Sequence, residues 1–302
     1  MNKKEKELIL DLIYTPYEYR DILGLEESET FGLEIEYEMG VKRIIKYLLT
    51  RNHLGWNEVD EDELTVLNRF GGEVISPVLM DSYTTWTTLV DVLKCIRISG
   101  GTATSNTGGH IHFDRSFLND NIEDYIYMLK CWCVFESIIE KIACGNFSRI
   151  RPIAKYMASS FTKNMLENKK DIELLIDKRN DLEFKELLYM LRSILKDCKC
   201  NSISLYGIEN PYNMFSNNTF EVRIPNGTLN EIIWQNNVNF FAKFLKYFKT
   251  DYDKELINYY YNLLNDKEYN EFTMALLLGS LIFDKDSEGN FNYLRQYVRL
   301  MK

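Results

Sequence analysis

The sequence contains no long apolar run. No stretch of its 302 residues approaches the roughly 18 uninterrupted apolar residues that a membrane helix needs. The amino-terminal segment is basic, but its apolar part is short, is interrupted by acidic residues and lacks the small-residue cleavage site of a secretory signal. We therefore expect a cytoplasmic protein that does not enter a membrane.

Cysteine is also sparse. The six cysteines are scattered over the chain, which excludes the dense disulfide framework of small secreted proteins. Two C-x-C pairs raise the alternative of a zinc site, although zinc knuckles usually use C-x-x-C spacing. Cys131 and Cys133 also fall in a helical run, where residues two apart point to different sides. We predict free thiols.

Excess basic charge and glycine-rich phosphate motifs are missing as well. A net charge of −9 and a pI near 5.1 argue against nucleic acid as a partner, because such binding depends on clustered Lys and Arg. Neither G-x-x-x-x-G-K-[ST] nor G-x-G-x-x-G occurs, so a nucleotide is not bound in the P-loop or Rossmann manner. A protein this acidic needs divalent cations to bind an anionic nucleotide.

Three segments that are present share a strand pattern with ionisable residues on one side only. They are "TFGLEIEYEMG", "HIHFD" and "TFEVRIP". Because successive side chains of a strand lie on opposite faces, the apolar residues of each segment share one face and the ionisable residues share the other. The residues that we single out on the ionisable face are Glu34, Glu36, Glu38, His110, His112, Glu221 and Arg223. The simplest assembly is one antiparallel sheet with helices on its apolar face.

The ionisable face is a candidate metal site. Alternating glutamates on a single strand are usually a solvated face, but three strands of the same polarity favour a site, since their repulsion is relieved by a cation. H-x-H on a strand aims both rings at one place, with stacked surface histidines as the alternative. Arg223 forms either an ion pair with Glu221 or a clamp for a carboxylate or phosphate. Hard oxygen ligands with one imidazole suit Mg²⁺ or Mn²⁺.

The remaining segments have mainly helical periodicity, and the fold class we predict is α+β. The stretch "SYTTWTTLVDVLKCIRISGG" reads as a helix that ends at Gly100 and Gly101. The segment before Pro16 and residues 117–143, about 160–200 and 230–302 are also helix-rich. We predict a catalytic domain over residues 1–250 with a helical insertion at about 160–200, followed by a helical carboxy-terminal extension over 251–302.

The ordered set "FGLEIEYE", "GGEVISP", "GGHIHFD" and "TFEVRIPNGT" resembles the amidoligase family, relatives of glutamine synthetase and of glutamate-cysteine ligase. The resemblance runs from about Thr30 to Phe248. It implies a glutamine synthetase-like core, whose curved antiparallel sheet carries Mg²⁺ or Mn²⁺. It also implies an ADP-forming ligase, in which ATP phosphorylates a carboxylate and an amine then attacks the acyl phosphate.

The resemblance further implies roles for single residues. The implied ligands of an outer metal are Glu34, His110 and Glu221. Glu36 and Glu73 resemble ligands of another metal, on the side of the nucleophile, and Arg223 resembles the arginine that neutralises the transferring phosphoryl group. Glu73 and Arg223 are therefore the implied catalytic residues. The implied ATP- and substrate-binding residues are His112, Arg149, Arg151 and Arg223.

Parts of the chain depart from the family pattern. The family usually has an Asp-x-Ser-Leu element before the "GGE" motif, where this chain has only "EDELTV", which leaves the role of Asp62 open. Residues about 160–200 lie outside the family pattern, and the sequence marks neither the acid, the amine nor an interface for a homo-oligomer. Two alternatives to a ligase are a metal-dependent hydrolase, which would run without ATP, and a non-catalytic binding module.

Overall fold

The fold was analysed in a computed structural model, which describes residues 19–59, 71–104, 107–144, 162–196, 201–205, 207–208, 218–250, 252–265 and 271–283. The strands are β1 (Phe31–Glu38), β2 (Asn57–Val59), β3 (Gly71–Ile75), β4 (Gly109–Asp114), β5 (Ile203–Ser204) and β6 (Thr219–Val222). The helices are α1 (Lys42–Arg51), α2 (Tyr83–Ile98), α3 (Ile122–Cys144), α4 (Lys169–Asp177), α5 (Phe184–Leu195), α6 (Glu231–Tyr247), α7 (Lys254–Asn262) and α8 (Glu271–Phe283). Short 3₁₀ turns span Arg115–Phe117, Lys178–Asn180 and Leu263–Asn265.

The strands form one six-stranded sheet in the order β2-β3-β1-β4-β6-β5, and every neighbouring pair is antiparallel. β1, the strand with alternating glutamates, therefore lies between β3 and β4. The predicted α+β class and antiparallel sheet are confirmed. The amino-terminal helix predicted before Pro16 and the last residues of the predicted helical tail lie outside the described residues.

Helices cover the apolar face of the sheet, as the strand pattern predicts. Phe31 of β1 stacks on Trp86 of α2 at 5.6 Å between ring centroids, and Phe220 of β6 lies 5.4 Å from Tyr125 of α3. Trp86, Tyr125 and Phe220 are at most 1% exposed. Burial of such large rings is the main favourable term in folding, so this face forms the core and leaves the ionisable face for function.

Trp234 of α6 packs directly beneath the strand that carries H-x-H. A Cβ atom at Gly109 would lie 2.4 Å from the six-membered ring of Trp234. Gly109 pairs with Ile35 and so belongs to the helix-facing side of β4. The missing side chain of Gly109 therefore makes room for an indole ring.

We expect Gly109→Ala to destabilise the protein by about 1–3 kcal/mol, because the added methyl group overpacks a well-filled site. Gly32→Ala is the matched control, since a Cβ there would meet its nearest atoms at an ordinary 3.7 Å. Urea unfolding of both variants checks the expectation. Equal midpoints for the two variants would show that Trp234 moves aside at no cost.

The later helices pack on α3. Lys130 of α3 donates a hydrogen bond to Asn258 Oδ1 of α7 at 2.9 Å, and Asn258 Nδ2 donates to Tyr127 OH at 3.0 Å. The division into a catalytic domain, an insertion and an extension stays a prediction. Among the helices that the structure describes, none has the length and apolar character needed to span a bilayer.

The described cysteines are free thiols, as predicted. Cys95, Cys131 and Cys133 are buried and form no disulfide. Burial raises the pKa of the Cys131 thiol far above its usual value, which favours the neutral thiol over a metal-binding thiolate. Cys198 and Cys200 lie outside the described residues, as does the side chain of Cys144.

Candidate active site

Three side chains on the open face of the central strands converge. Glu34 of β1 pairs in register with His110 of β4, and His112 pairs with Glu221 of β6. One ligand atom from each of Glu34, His110 and Glu221 lies within 4.8 Å of the others. His110 Nδ1 is 2.8 Å from Glu34 Oε2 and 3.8 Å from Glu221 Oε1. We call these three residues the triad.

The two histidines of H-x-H share one carboxylate. His112 Nε2 lies 2.8 Å from Glu34 Oε1, on the opposite oxygen to the one that contacts His110. Burial alone would raise the pKa of Glu34, but the hydrogen bonds and charges of His110 and His112 outweigh it and hold this pKa well below its usual range. Burial alone would lower the pKa of His112, but its hydrogen bond to Glu34 and the charges of Glu34 and Glu221 raise it. The site thus stabilises an ionised Glu34.

Arg223 lies beside the triad. Its guanidinium donates a hydrogen bond to Glu221 Oε1 through Nη1, and 24% of its side chain is exposed. Because Ile111 pairs with Val222, Arg223 follows β6 at the level of His110. A guanidinium has five N–H donors, so the bond to Glu221 leaves donors for a phosphate or carboxylate.

A second pair of carboxylates lies on the other side of His110. Glu36 of β1 and Glu73 of β3 are directly opposite in register and are 3% and 9% exposed. Glu36 Oε2 accepts a hydrogen bond from the Gly108 N–H, and Glu36 Oε1 is 3.5 Å from His110 Nε2. The Nε2 side of the His110 ring thus faces Glu36, and its Nδ1 side faces Glu34 and Glu221.

A cavity of about 300 Å³ adjoins the triad at the opposite end from Glu36 and Glu73. Its wall includes the polar residues Glu34, His112, Asp114 and Thr219 and the apolar Val78. Asp114 and Thr219 are a cross-strand pair of β4 and β6. Thr219 Oγ1 lies 3.3 Å from His112 Nδ1. Small-molecule sites combine apolar walls with a few polar groups in this way and have similar volumes.

The model of a family described as "putative amidoligase enzyme" matches residues 49–245, which is more than half of the chain. The chain belongs to the amidoligase family. No curated protein matches it. The match begins after β1 and so leaves out Glu34 and Glu36. β1 nevertheless belongs to the same sheet as the matched region, because it pairs with β3 and β4.

The structure brings together most residues that the resemblance to amidoligases singled out. The residues that meet on the open face are Glu34, Glu36, Glu73, His110, His112, Glu221 and Arg223. Arg149, Arg151 and Asp62 lie outside the described residues, and their roles stay predictions. The sequence pattern did not lead us to Thr219 and Asp114. Each lies two residues along its strand from a predicted site residue, Glu221 and His112, and therefore on the same face.

Proposed function

We propose that this amidoligase is an ATP- and Mg²⁺-dependent carboxylate-amine ligase that forms an amide or peptide bond through an acyl phosphate and releases ADP. The observation that carries the proposal is a linear arrangement on the open face. The cavity beside His112 comes first, the triad with Arg223 follows, and the Glu36–Glu73 pair comes last. Nucleotide, transferring phosphoryl group and acid substrate would occupy these places in that order.

The residues of the triad fit a divalent cation. Two carboxylates and one imidazole are a hard donor set of the kind that binds Mg²⁺ or Mn²⁺, with remaining positions for water and phosphate oxygens. Glu36 and Glu73, two buried carboxylates opposite each other, also repel unless a cation or proton is present. When bound, the cations screen the charge between phosphate and carboxylate. The chain's part is to hold these donors on rigid strands.

Arg223 and His112 act on the nucleotide in this proposal. Arg223 donates to the phosphoryl group during transfer, when the negative charge of that group is spread over its three equatorial oxygens. Glu34 contacts Nε2 of His112 and Thr219 contacts Nδ1. These contacts fix the orientation of the imidazole ring at the edge of the cavity. Arg149 and Arg151 would bind an acidic group of the substrate.

The remaining parts of the proposal rest on the sequence pattern and on the resemblance to amidoligases. We propose a glutamine synthetase-like core within residues 1–250, a helical extension over 251–302 and a cytoplasmic location. A small-molecule or peptide carboxylate and an amine are the substrates, and no nucleic acid or membrane takes part.

We expect stoichiometric release of ADP and phosphate when the protein is mixed with Mg-ATP, candidate acids and candidate amines. The reason is that transfer of the γ-phosphoryl group to a carboxylate leaves ADP, whereas adenylation leaves AMP and pyrophosphate. Ion-exchange chromatography of the nucleotides distinguishes the two. AMP as product would refute the acyl-phosphate route, and substrate turnover without ATP would favour a metal-dependent hydrolase.

A further inference from the structure

A buried carboxyl in the helix layer is connected to the backbone of Arg223 through Ser202. Glu136 of α3 is 7% exposed. Its Oε1 accepts a hydrogen bond from Ser202 Oγ at 3.0 Å, and its Oε2 accepts one from Thr162 Oγ1. The Ser202 hydroxyl in turn accepts from Trp132 Nε1 at 3.1 Å. Glu136 therefore holds a serine that a buried indole already orients.

Ser202 is also the backbone partner of Arg223. Its carbonyl oxygen accepts from the Arg223 N–H at 3.0 Å. Ile203 lies opposite Val222, so this bond extends the β5–β6 ladder by one residue beyond the last strand pair. β5 is an edge strand of only two residues. Because so short a strand has few ladder bonds, the hydrogen bonds of the Ser202 side chain add to those that hold the Arg223 backbone in place.

A carboxyl is a costly choice at the position of Glu136. Burial, with a contribution from the charge of Glu140, raises the pKa of Glu136 to about 8, although the hydrogen bonds from Thr162 and Ser202 lower it. An apolar side chain of similar volume in the same helix layer would avoid that penalty. The two hydroxyl partners are what distinguish the position, and one of them leads to Arg223.

We propose that Glu136 is a positioning residue for Arg223 and acts through Ser202. Glu136 accepts a hydrogen bond from the Ser202 side chain, and the Ser202 carbonyl accepts one from the Arg223 N–H. These two bonds fix the backbone from which the guanidinium extends toward the triad. A displacement of about 1 Å in a group that acts on the transition state can cost on the order of 10²-fold in rate. The inference rests on the proposed role of Arg223 in phosphoryl transfer.

The test compares Glu136→Ala, Glu136→Gln and Ser202→Ala by hydrogen–deuterium exchange of the Arg223 amide. The same variants are assayed for ADP release with Mg-ATP and the acid–amine pair most active with the wild type. We expect Glu136→Ala to speed exchange by about tenfold or more and to lower kcat by about tenfold or more, with KM for Mg-ATP within about threefold. Glu136→Gln should restore both, since its carbonyl oxygen accepts from Ser202 and its NH₂ donates to Thr162.

Ser202→Ala should reproduce the loss, and the double variant with Glu136→Ala should be no worse than the more severe single variant. Asp124→Ala is the matched control. Asp124 is also a buried carboxyl of α3, 6% exposed, and accepts from Tyr252 OH and Asn119 Nδ2, each at 3.0 Å. Its loss should lower the melting temperature but leave the Arg223 amide and kcat unchanged.

Unchanged exchange at Arg223 in a folded Glu136→Ala variant would overturn the proposal, as would faster exchange with wild-type kcat. If Glu136→Ala does not fold, Ser202→Ala decides by the same criteria. If the wild type releases no ADP with any substrate pair, the ligase proposal fails by itself. The exchange measurement then still decides whether Glu136 fixes the Arg223 backbone.

Discussion

Replacing Arg223 by Lys is expected to lower kcat for ADP release by on the order of 10²-fold, the usual cost of removing one preorganised contact to a transition state. Lysine keeps the positive charge but has no planar fork, so it cannot bridge two oxygens of a transferring phosphoryl group. Affinity for Mg-ATP should change by less than about threefold, because the lost contact forms chiefly in the transition state. Steady-state kinetics and calorimetry measure the two quantities.

Arg97→Lys is the matched control for this substitution. Arg97 lies in the last turn of α2 and donates through Nη1 to the carbonyl oxygen of Leu229 at 2.6 Å, on the helix side of the sheet. Arg97→Lys removes the same planar guanidinium at a position away from the proposed substrate site. If Arg223→Lys stayed within a few-fold of the wild-type rate, Arg223 would not act on the phosphoryl group, and its bond to Glu221 would be a structural ion pair.

Much of this site was predictable because β-strands alternate. Once "FGLEIEYE", "HIHFD" and "TFEVRIP" are assigned as strands, geometry alone places Glu34, His110 and Glu221 on one face and the apolar residues on the other. The family resemblance then adds Glu73 of "GGEVISP" to the same site. The structure adds the register, which the alternation leaves open: His110 faces Glu34, and Glu36 faces Glu73.

Two features had no sequence signal. Gly109 precedes the first histidine of H-x-H. The group that fills the place of its missing Cβ is Trp234, a residue 125 positions later that packs on the helix-covered face of the sheet. Glu136 lies in a helical run, and nothing marks it as different from a solvated glutamate until Ser202 and Thr162 are seen beside it. Contacts between distant segments decide both, and local periodicity does not record such contacts.

Removing divalent cations is expected to weaken ATP binding by on the order of 10²-fold or more. The site concentrates four carboxylates, Glu34, Glu36, Glu73 and Glu221, within a chain whose net charge is already −9. A single pair of like charges about 4 Å apart near a protein surface costs about 4 kcal/mol, and each 1.4 kcal/mol is about tenfold in affinity. Arg223 alone does not offset this repulsion. Calorimetric titration of ATP with Mg²⁺ and with excess chelator makes the comparison.

The direction of the effect of Glu221→Gln separates a cation-bridged nucleotide from simple repulsion. If ATP binds through cations held by the triad, loss of the Glu221 charge should weaken Mg-ATP binding by about tenfold or more, because one ligand is lost. If the carboxylates only repel ATP, the same change should strengthen binding. Glu58→Gln is the matched control, since Glu58 lies in β2 and accepts from Tyr37 OH at 2.9 Å on the helix-facing side. Equal ATP affinity with and without chelator, together with tighter binding in Glu221→Gln, would rule out the triad as a metal site for the nucleotide.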